Sequence, residues 1–391
     1  MSDPVKDWAE SGVLALTGRA DGPPVLPPGC AATRARELTA WIAAATADTP
    51  HPVTLDGAKI LSERAALTGH TRTGRVSVGG SCRLLPTADG WAAVSCARPD
   101  DPALFGALIG AEIDESSPWP AIAAWVRGHL GAELAERSTM LGLAAGPVVR
   151  TPVTPAPLAD PRRVDGLLVV DFSALWAGPL CAHLLGLAGA RVVKVETPTR
   201  PDGARRGNAD FYALLHGGHS AVSLDPAAPG GRRAMAELVD AADIVIEASR
   251  PRALAGFGLD AEATVRNGTT WISITAHGRG SERVGFGDDV AAGAGLVAAD
   301  TDGSPLFVGD AIADPLTGLT AAVAAMSAPA GGALCDIAMS AVVSAQLTAE
   351  PAGGVRGLEI SRPRPRVGRG RVAGHGEDTQ EVLSGLGIGL P

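Results

Sequence analysis

Two aspartates, Asp310 and Asp314, sit in VGDAIADPLTG, just ahead of the apolar run LTGLTAAVAAMS. A carboxylate at the start of a helix meets unpaired backbone N–H groups and a favourable dipole. That setting suits it either to cap the helix or to persist as a reactive anion. A second pair, Asp288 and Asp289 in GFGDDVAAGAG, reads either as a solvated turn or as a carboxylate base. Upstream, Ser173, Ala174, Leu175, Trp176, Ala177 and Gly178 form a small-residue loop between an apolar strand and a helix. Small residues let backbone approach a nucleotide, and the following helix N-terminus favours phosphate. The loop lacks GxGxxG spacing, which sets NAD and FAD aside. Arg200, Arg205, Arg206, Arg250 and Arg252 are either phosphate-pairing guanidinium groups or ordinary surface charges.

Cysteine chemistry is not expected. Cys30, Cys82, Cys96, Cys181 and Cys335 are odd in number, widely spaced and without a CxxC, so they read as reduced thiols rather than as a disulfide or zinc set. The formal net charge of −9 and the absence of a Lys/Arg run argue against nucleic acid as a partner. No stretch of about 18 apolar residues is present, which argues against a transmembrane helix. The opening MSDPVKDWAESG lacks the apolar core of a signal peptide, so a cytoplasmic location is expected.

The elements that must hold these residues follow from periodicity. Short apolar runs at 166–172, 191–196, 221–225, 243–248 and 271–276 read as buried strands. Helical spacing at 177–190, 230–242 and 311–327 alternates with them, and 333–347 reads as a strand running into a final helix. This alternation predicts βαβ units, hence an α/β fold with a Rossmann-like, mostly parallel sheet. Ahead of it, 34–47, 55–67 and 118–138 have helical spacing, and 82–97 reads as a hairpin turning at Ala88-Asp89-Gly90. The expected organisation is a small α+β domain over 1–150 and a Pro-rich linker over 151–165. A large domain follows over 166–350, and a tail over 351–391 returns to it. The stretches 11–29 and 293–311 share a Gly–apolar run followed by Asp-Gly-x-Pro, as similar strand-turn pieces or as a duplication.

The sequence from VVDFSALWAGPLCAHLLGLAGARVVKVETP (169–198) onward resembles the family III CoA-transferases, which include formyl-CoA transferase, carnitine CoA-transferases and α-methylacyl-CoA racemase. HGGHSAVSLD (216–225), ISITAHGRGS (272–281), VGDAIADPLTGLTAAVAA (308–325) and GHGEDTQEVLSGLG (374–387) carry it further. RVSVGGSCRLLPTADGWAAVSCARPDD (75–101) resembles that family's small domain, here placed ahead of the large one. Gly79-Gly80-Ser81 falls at the family's glycine-rich loop, or serves as a plain lead-in to the hairpin.

The resemblance implies Asp314 as nucleophile, with Asp310 a weaker candidate, and coenzyme A as a substrate without a metal. It implies a CoA site at Ala174, Leu175, Trp176 and Ala177, with Arg205, His219, Arg250 and Arg252 near its phosphates. Trp176 would stack on adenine or pantetheine, or else pack in the core. It further implies acyl-CoA and carboxylic acid as partners in a homodimer. Racemases of the family carry a His where Asp288 stands here, followed by Asp289, so acyl transfer is preferred to epimerisation. The family's NxGKRS stretch reads His216-Gly217-Gly218-His219-Ser220 here, which keeps open a scaffold that binds CoA without turnover.

Overall fold

The computed structural model describes residues 3–151, 153–154, 157–249, 251–348, 355 and 357–391. Four helices come first: α1 (Pro4–Glu10), α2 (Ala31–Thr46), α3 (Gly57–Ile60) and α4 (Glu63–Thr68). A three-stranded antiparallel sheet follows, built from β1 (Cys82–Pro86), β2 (Trp91–Ser95) and β3 (Ala145–Pro147). Helices α5 (Asp101–Ile109), α6 (Trp119–Gly128) and α7 (Gly131–Leu141) pack on it. The predicted hairpin is present, with Pro86 paired to Trp91 next to its turn.

The stretch 118–138 was expected as one helix and forms two. The break lies where the hairpin docks: the Ala88 N–H donates to the His129 carbonyl, and the Asp89 carboxylate accepts from the Gly131 N–H. Those contacts take backbone groups that a continuous helix would use itself. Residues 55–67 divide similarly at Ser62, whose backbone leaves the helical range (φ −129°, ψ 3°) while its hydroxyl donates to the Ser11 carbonyl.

The second half alternates as predicted. It runs β4 (Leu168–Asp171), α8 (Ala177–Leu187), β5 (Arg191–Glu196), α9 (Ala209–His216), β6 (Ser220–Ser223), α10 (Pro229–Asp240) and β7 (Ile244–Glu247). Then come α11 (Pro251–Ala255), α12 (Ala261–Arg266), β8 (Thr270–Thr275), α13 (Gly287–Gly293), the short hairpin β9 (Ala298–Ala299) and β10 (Pro305–Leu306), and α14 (Ala313–Ser327). β11 (Ala333–Ala338), α15 (Met339–Ser344) and α16 (Thr379–Gly385) complete it. Six parallel strands form one sheet in the order β11-β8-β7-β4-β5-β6. Numbered among themselves, these strands have the doubly wound order of a Rossmann sheet, which changes direction between β4 and β7.

Both faces of the sheet are covered, which is why its strands are continuously apolar. On one face α8 and α14 share a core with α1, α2 and α3. On the other, α10, α12 and α16 supply Ala234, Leu238, Ala261 and Leu383. Helices α8 and α14 meet at Gly318, where a Cβ would lie 2.6 Å from the Ala177 carbonyl oxygen. Only glycine permits that approach. The stretches 11–29 and 293–311 occupy equivalent places, each joining a short helix to a long one. They lie together: Arg19 pairs with Asp300, and the Gly309 N–H donates to the Thr17 hydroxyl.

Lys194 on β5 is 2% exposed and lies between Asp171, 3.8 Å away, and Asp202, 3.0 Å away. Burial lowers its pKa, but the two carboxylates outweigh burial and keep it charged. Lys194→Met removes the cation and leaves two buried carboxylates without it. The expected loss is about 3–5 kcal/mol in urea unfolding, far above the cost of a surface Lys→Met change.

Candidate active site

A cavity of about 270 Å³ opens at the C-terminal ends of β4, β7 and β8, at the point where the sheet order reverses. Open α/β sheets bind their ligands in this crevice, because adjacent loops there diverge to opposite faces. Ala174, Leu175 and Ala177 line it from the loop after β4, and Ala248 and Ser249 from the loop after β7. Arg283, Phe286 and Met339 contribute further wall, Arg98 reaches in from the loop after β2, and the Asp314 carboxyl faces the space.

Asp314 lies in the first turn of α14, with its N–H bonded to the Ala311 carbonyl. The Gly287 N–H donates to its carboxylate, and a Cβ on Gly287 would collide with Asp314 Oδ2 and the Ala311 carbonyl. The start of α13 can therefore touch the carboxylate only because residue 287 has no side chain. Burial pushes the Asp314 pKa up; Arg64 draws it back, Asp288 and Asp310 push it up again, and the result is about 7. Two non-glycine residues beside the cavity have left-handed backbone, Leu175 (φ 71°) and Ala311 (φ 44°). Such strain is held by surrounding structure and is common at functional sites.

Asp288 accepts hydrogen bonds from the Ala311 N–H at 2.9 Å and from the Ser77 hydroxyl. Its carboxyl is raised to about 6, by burial first and then by Asp310. Asp289 is buried, accepting from the Ser95 hydroxyl at 2.7 Å and from the Phe286 N–H at 3.0 Å. Burial raises it to about 7. The solvated-turn reading of this pair is thus replaced by a half-buried Asp288 and a buried Asp289, both hydrogen-bonded, that clasp α13 to its neighbours. Asp310 is fully buried and paired in a fork with Arg64 of α4, with His70 Nδ1 3.6 Å away. Burial raises its pKa, but Arg64 outweighs that and holds it at about 2.

The remaining expected site residues separate. Trp176 is 1% exposed and packs edge-on to Phe211, with the Arg64 guanidinium 5.0 Å from its ring centre, so its place is the core beneath the cavity. Arg205 is committed to Glu196 at 2.6 Å and stacks over Tyr212. His219 lies away from the cavity wall, in a second pocket described below. Arg250 and the Arg252 side chain fall outside the described residues. Gly79 and Gly80 form an exposed turn whose base, Ser77, reaches Asp288.

Arg64, Ser77, Ser95, Arg98 and Arg283 were not found from the sequence. All but Arg283 come from the first 100 residues, where no spacing pattern announces a residue that reaches across the fold. Arg98 is held by Asp101 and the Gly142 carbonyl. The Arg283 guanidinium lies against Gly146, and burial lowers its pKa.

Residues 164–354 match the sequence profile of CoA-transferase family III. The span includes the cavity loops of the sheet, α13 and Asp314. Succinyl-CoA–D-citramalate CoA-transferase of Chloroflexus aurantiacus is 29% identical over 182 residues, 43% of this chain and 45% of that protein. Formyl-CoA:oxalate CoA-transferase of Rhodopseudomonas palustris is 31% identical over 180 residues, 43% of this chain and 42% of that protein. The match spans less than half the length of these curated relatives. Among solved structures, a CAIB/BAIF family protein from Brucella suis is 28% identical with a TM-score of 0.44, covering 48% of this chain and 56% of that one. Among the described residues no helix is long and apolar enough to cross a membrane.

The raised carboxyls fix a pH dependence. A carboxyl whose folded pKa exceeds its unfolded value stabilises the fold fully at low pH and loses that contribution as pH rises through the folded pKa. Folding stability should therefore fall between about pH 4, the ordinary carboxyl range, and about pH 7, where Asp288, Asp289 and Asp314 have ionised in the folded state. Asp289→Asn should flatten this fall in urea unfolding curves, and an unchanged slope would contradict the assignment. Arg64→Met, which strands Asp310, should cost about 3–5 kcal/mol in the same assay.

Proposed function

We propose that the chain transfers CoA from an acyl-CoA to a carboxylic acid, with Asp314 as the nucleophile. The observation that carries this reading is the Asp314 carboxyl at the start of α14, facing the crevice at the sheet's switch point. The Asp314 carboxylate attacks the thioester carbonyl; the C–S bond breaks, CoA leaves as thiolate, and an acyl-aspartyl anhydride remains. The thiolate then attacks the Asp314 carbonyl, releasing the donor acid as its carboxylate and leaving an aspartyl thioester. The acceptor carboxylate attacks that thioester, expelling the thiolate again and forming a second anhydride. The thiolate takes the new acyl group and restores the Asp314 carboxylate. No net proton or electron is consumed. Arg64 acts through position, keeping Asp310 ionised and offsetting the negative charge near Asp314.

The similarity to a succinyl-CoA–D-citramalate and a formyl-CoA:oxalate CoA-transferase supports transfer between acyl-CoA and acid, and the matched segment includes Asp314. A CoA-binding subunit without turnover is the second reading. One observation favours it: Arg205 is spent on Glu196 and His219 lies elsewhere, so two cations expected at the CoA phosphates are not available there. An epimerase reading lacks the His expected ahead of the aspartate.

The test is incubation of the purified protein with a panel of acyl-CoAs and carboxylic acids, followed by mass spectrometry. Exchange should accompany a covalent acyl or CoA adduct on Asp314, and Asp314→Asn should lower exchange by about 10³-fold or more and abolish the adduct. CoA binding with neither exchange nor adduct would favour the subunit reading. If Asp314 acts as the free carboxylate, kcat/KM should rise with pH through about 7.

A further inference from the structure

The HGGHS stretch, which the proposed transfer leaves unused, builds a pocket of its own. A cavity of about 240 Å³ lies beyond the C-terminus of α8 and the start of β5, at the end of the sheet opposite Asp314. His51, His183, His219 and Arg369 line it, with a floor made by Gly186, Gly217 and Gly218.

His219 is 7% exposed and His183 4%, with ring centres 5.9 Å apart. Both ring nitrogens of His219 lack a hydrogen-bond partner, and so does His183 Nδ1. His219 Nε2 points at Gly186 on the pocket floor, 3.5 Å from where a Cβ would stand. Buried polar nitrogens without partners are costly and mark places where a ligand or ordered water belongs.

The charge around the pocket selects the ligand. Burial, and after it Lys194 of β5, lowers the His219 pKa to about 3. Burial and then Arg366 and His219 lower that of His183, with Arg369 adding to the effect. Behind them His216 faces Lys194 and Arg205, with Asp202 3.8 Å away. Glu63 pairs with Arg366 on the tail side, and Asp165 lies beside His51. No carboxylate or thiolate is among the lining residues, so a metal cation would meet the Arg369 guanidinium and no anionic ligand.

We propose that this pocket binds a small, multiply charged oxyanion, phosphate or a di- or tricarboxylate. Arg369 and the imidazoles hold it by hydrogen bonds. His183 Nε2 already serves the Leu215 carbonyl, so its Nδ1 is a bare lone pair in the neutral ring. An entering anion therefore brings a proton with it, and binding tightens as pH falls. The site is independent of the transfer proposed for Asp314.

The test is thermal unfolding and calorimetric titration with sodium phosphate, sodium citrate and sodium sulfate at constant ionic strength, at pH 6 and pH 8. Sulfate carries no proton in this range and isolates the contribution of the imidazoles. Saturating anion at pH 6 should raise Tm by about 3 °C, and the dissociation constant should weaken by up to about tenfold per pH unit above that. The ranking of phosphate against citrate identifies the source. Arg369→Gln, at an exposed position, and His219→Gln should each abolish the shift, while Asp314→Asn should retain it. Absence of a saturable shift, its persistence in both pocket variants, or its loss in Asp314→Asn would overturn the proposal. Because Arg369→Gln touches no core residue, failure of His219→Gln to fold leaves the result decisive.

Discussion

Four carboxyl groups converge where α13 and α14 begin, and the Arg64–Asp310 pair makes that convergence tolerable. Four negative charges in one place, two of them buried and two half-buried, would repel strongly at low dielectric. Arg64 fixes Asp310 as the ionised member. Its neighbours Asp288, Asp289 and Asp314 are all pushed upward, to between about 6 and 7. One guanidinium thus fixes a permanent anion, and burial leaves the other three carboxyls to change charge near neutrality. Arg64 comes from α4, so the electrostatics of α14 depends on a helix almost 250 residues earlier in the chain.

The large sheet was legible in the sequence because parallel strands buried on both faces must be apolar throughout. Val169-Val170 and Ile244-Val245-Ile246 leave few other readings. The hairpin at 82–97 was legible for a local reason, its turn residues between alternating strands. The helix break at His129 was not legible, because its cause is a hydrogen bond from Ala88. The site divides in the same way. Asp314 stood out through helix-start chemistry and the resemblance of its motif, while Ser77, Ser95 and Arg98 are ordinary residues that folding brings to Asp288, Asp289 and the cavity. Arg205 and His219 show the converse: residue type suited phosphate, but Glu196 and a different pocket had already claimed them.

The repeated stretches acquire a physical meaning from their neighbours. Thr33 stands 12 residues after Asp21, as Asp314 stands 12 after Asp302. Both lie in the first turn of a long helix, α2 and α14, and the two helices pack together in one core. Thr33 gives its hydroxyl to Asp7, which Arg36 also engages. Where the second unit presents a carboxyl to a cavity, the first closes on itself with a hydroxyl and a paired acid.

The tail crosses back over the beginning of the chain. The Ser361 N–H donates to the Ala9 carbonyl, and Arg366 lies 3.1 Å from the buried carboxylate of Glu63. On the ribosome this means that the earliest helices are made long before the groups that complete them. At about 5–20 residues per second, the wait from residue 9 to residue 361 is roughly 20–70 s. Over that interval Glu63 lacks Arg366 and Arg64 lacks Asp310. For the first part of it, the apolar faces of α1 and α2 have no sheet to cover. The first segment therefore gains its last partners only when the tail has been made.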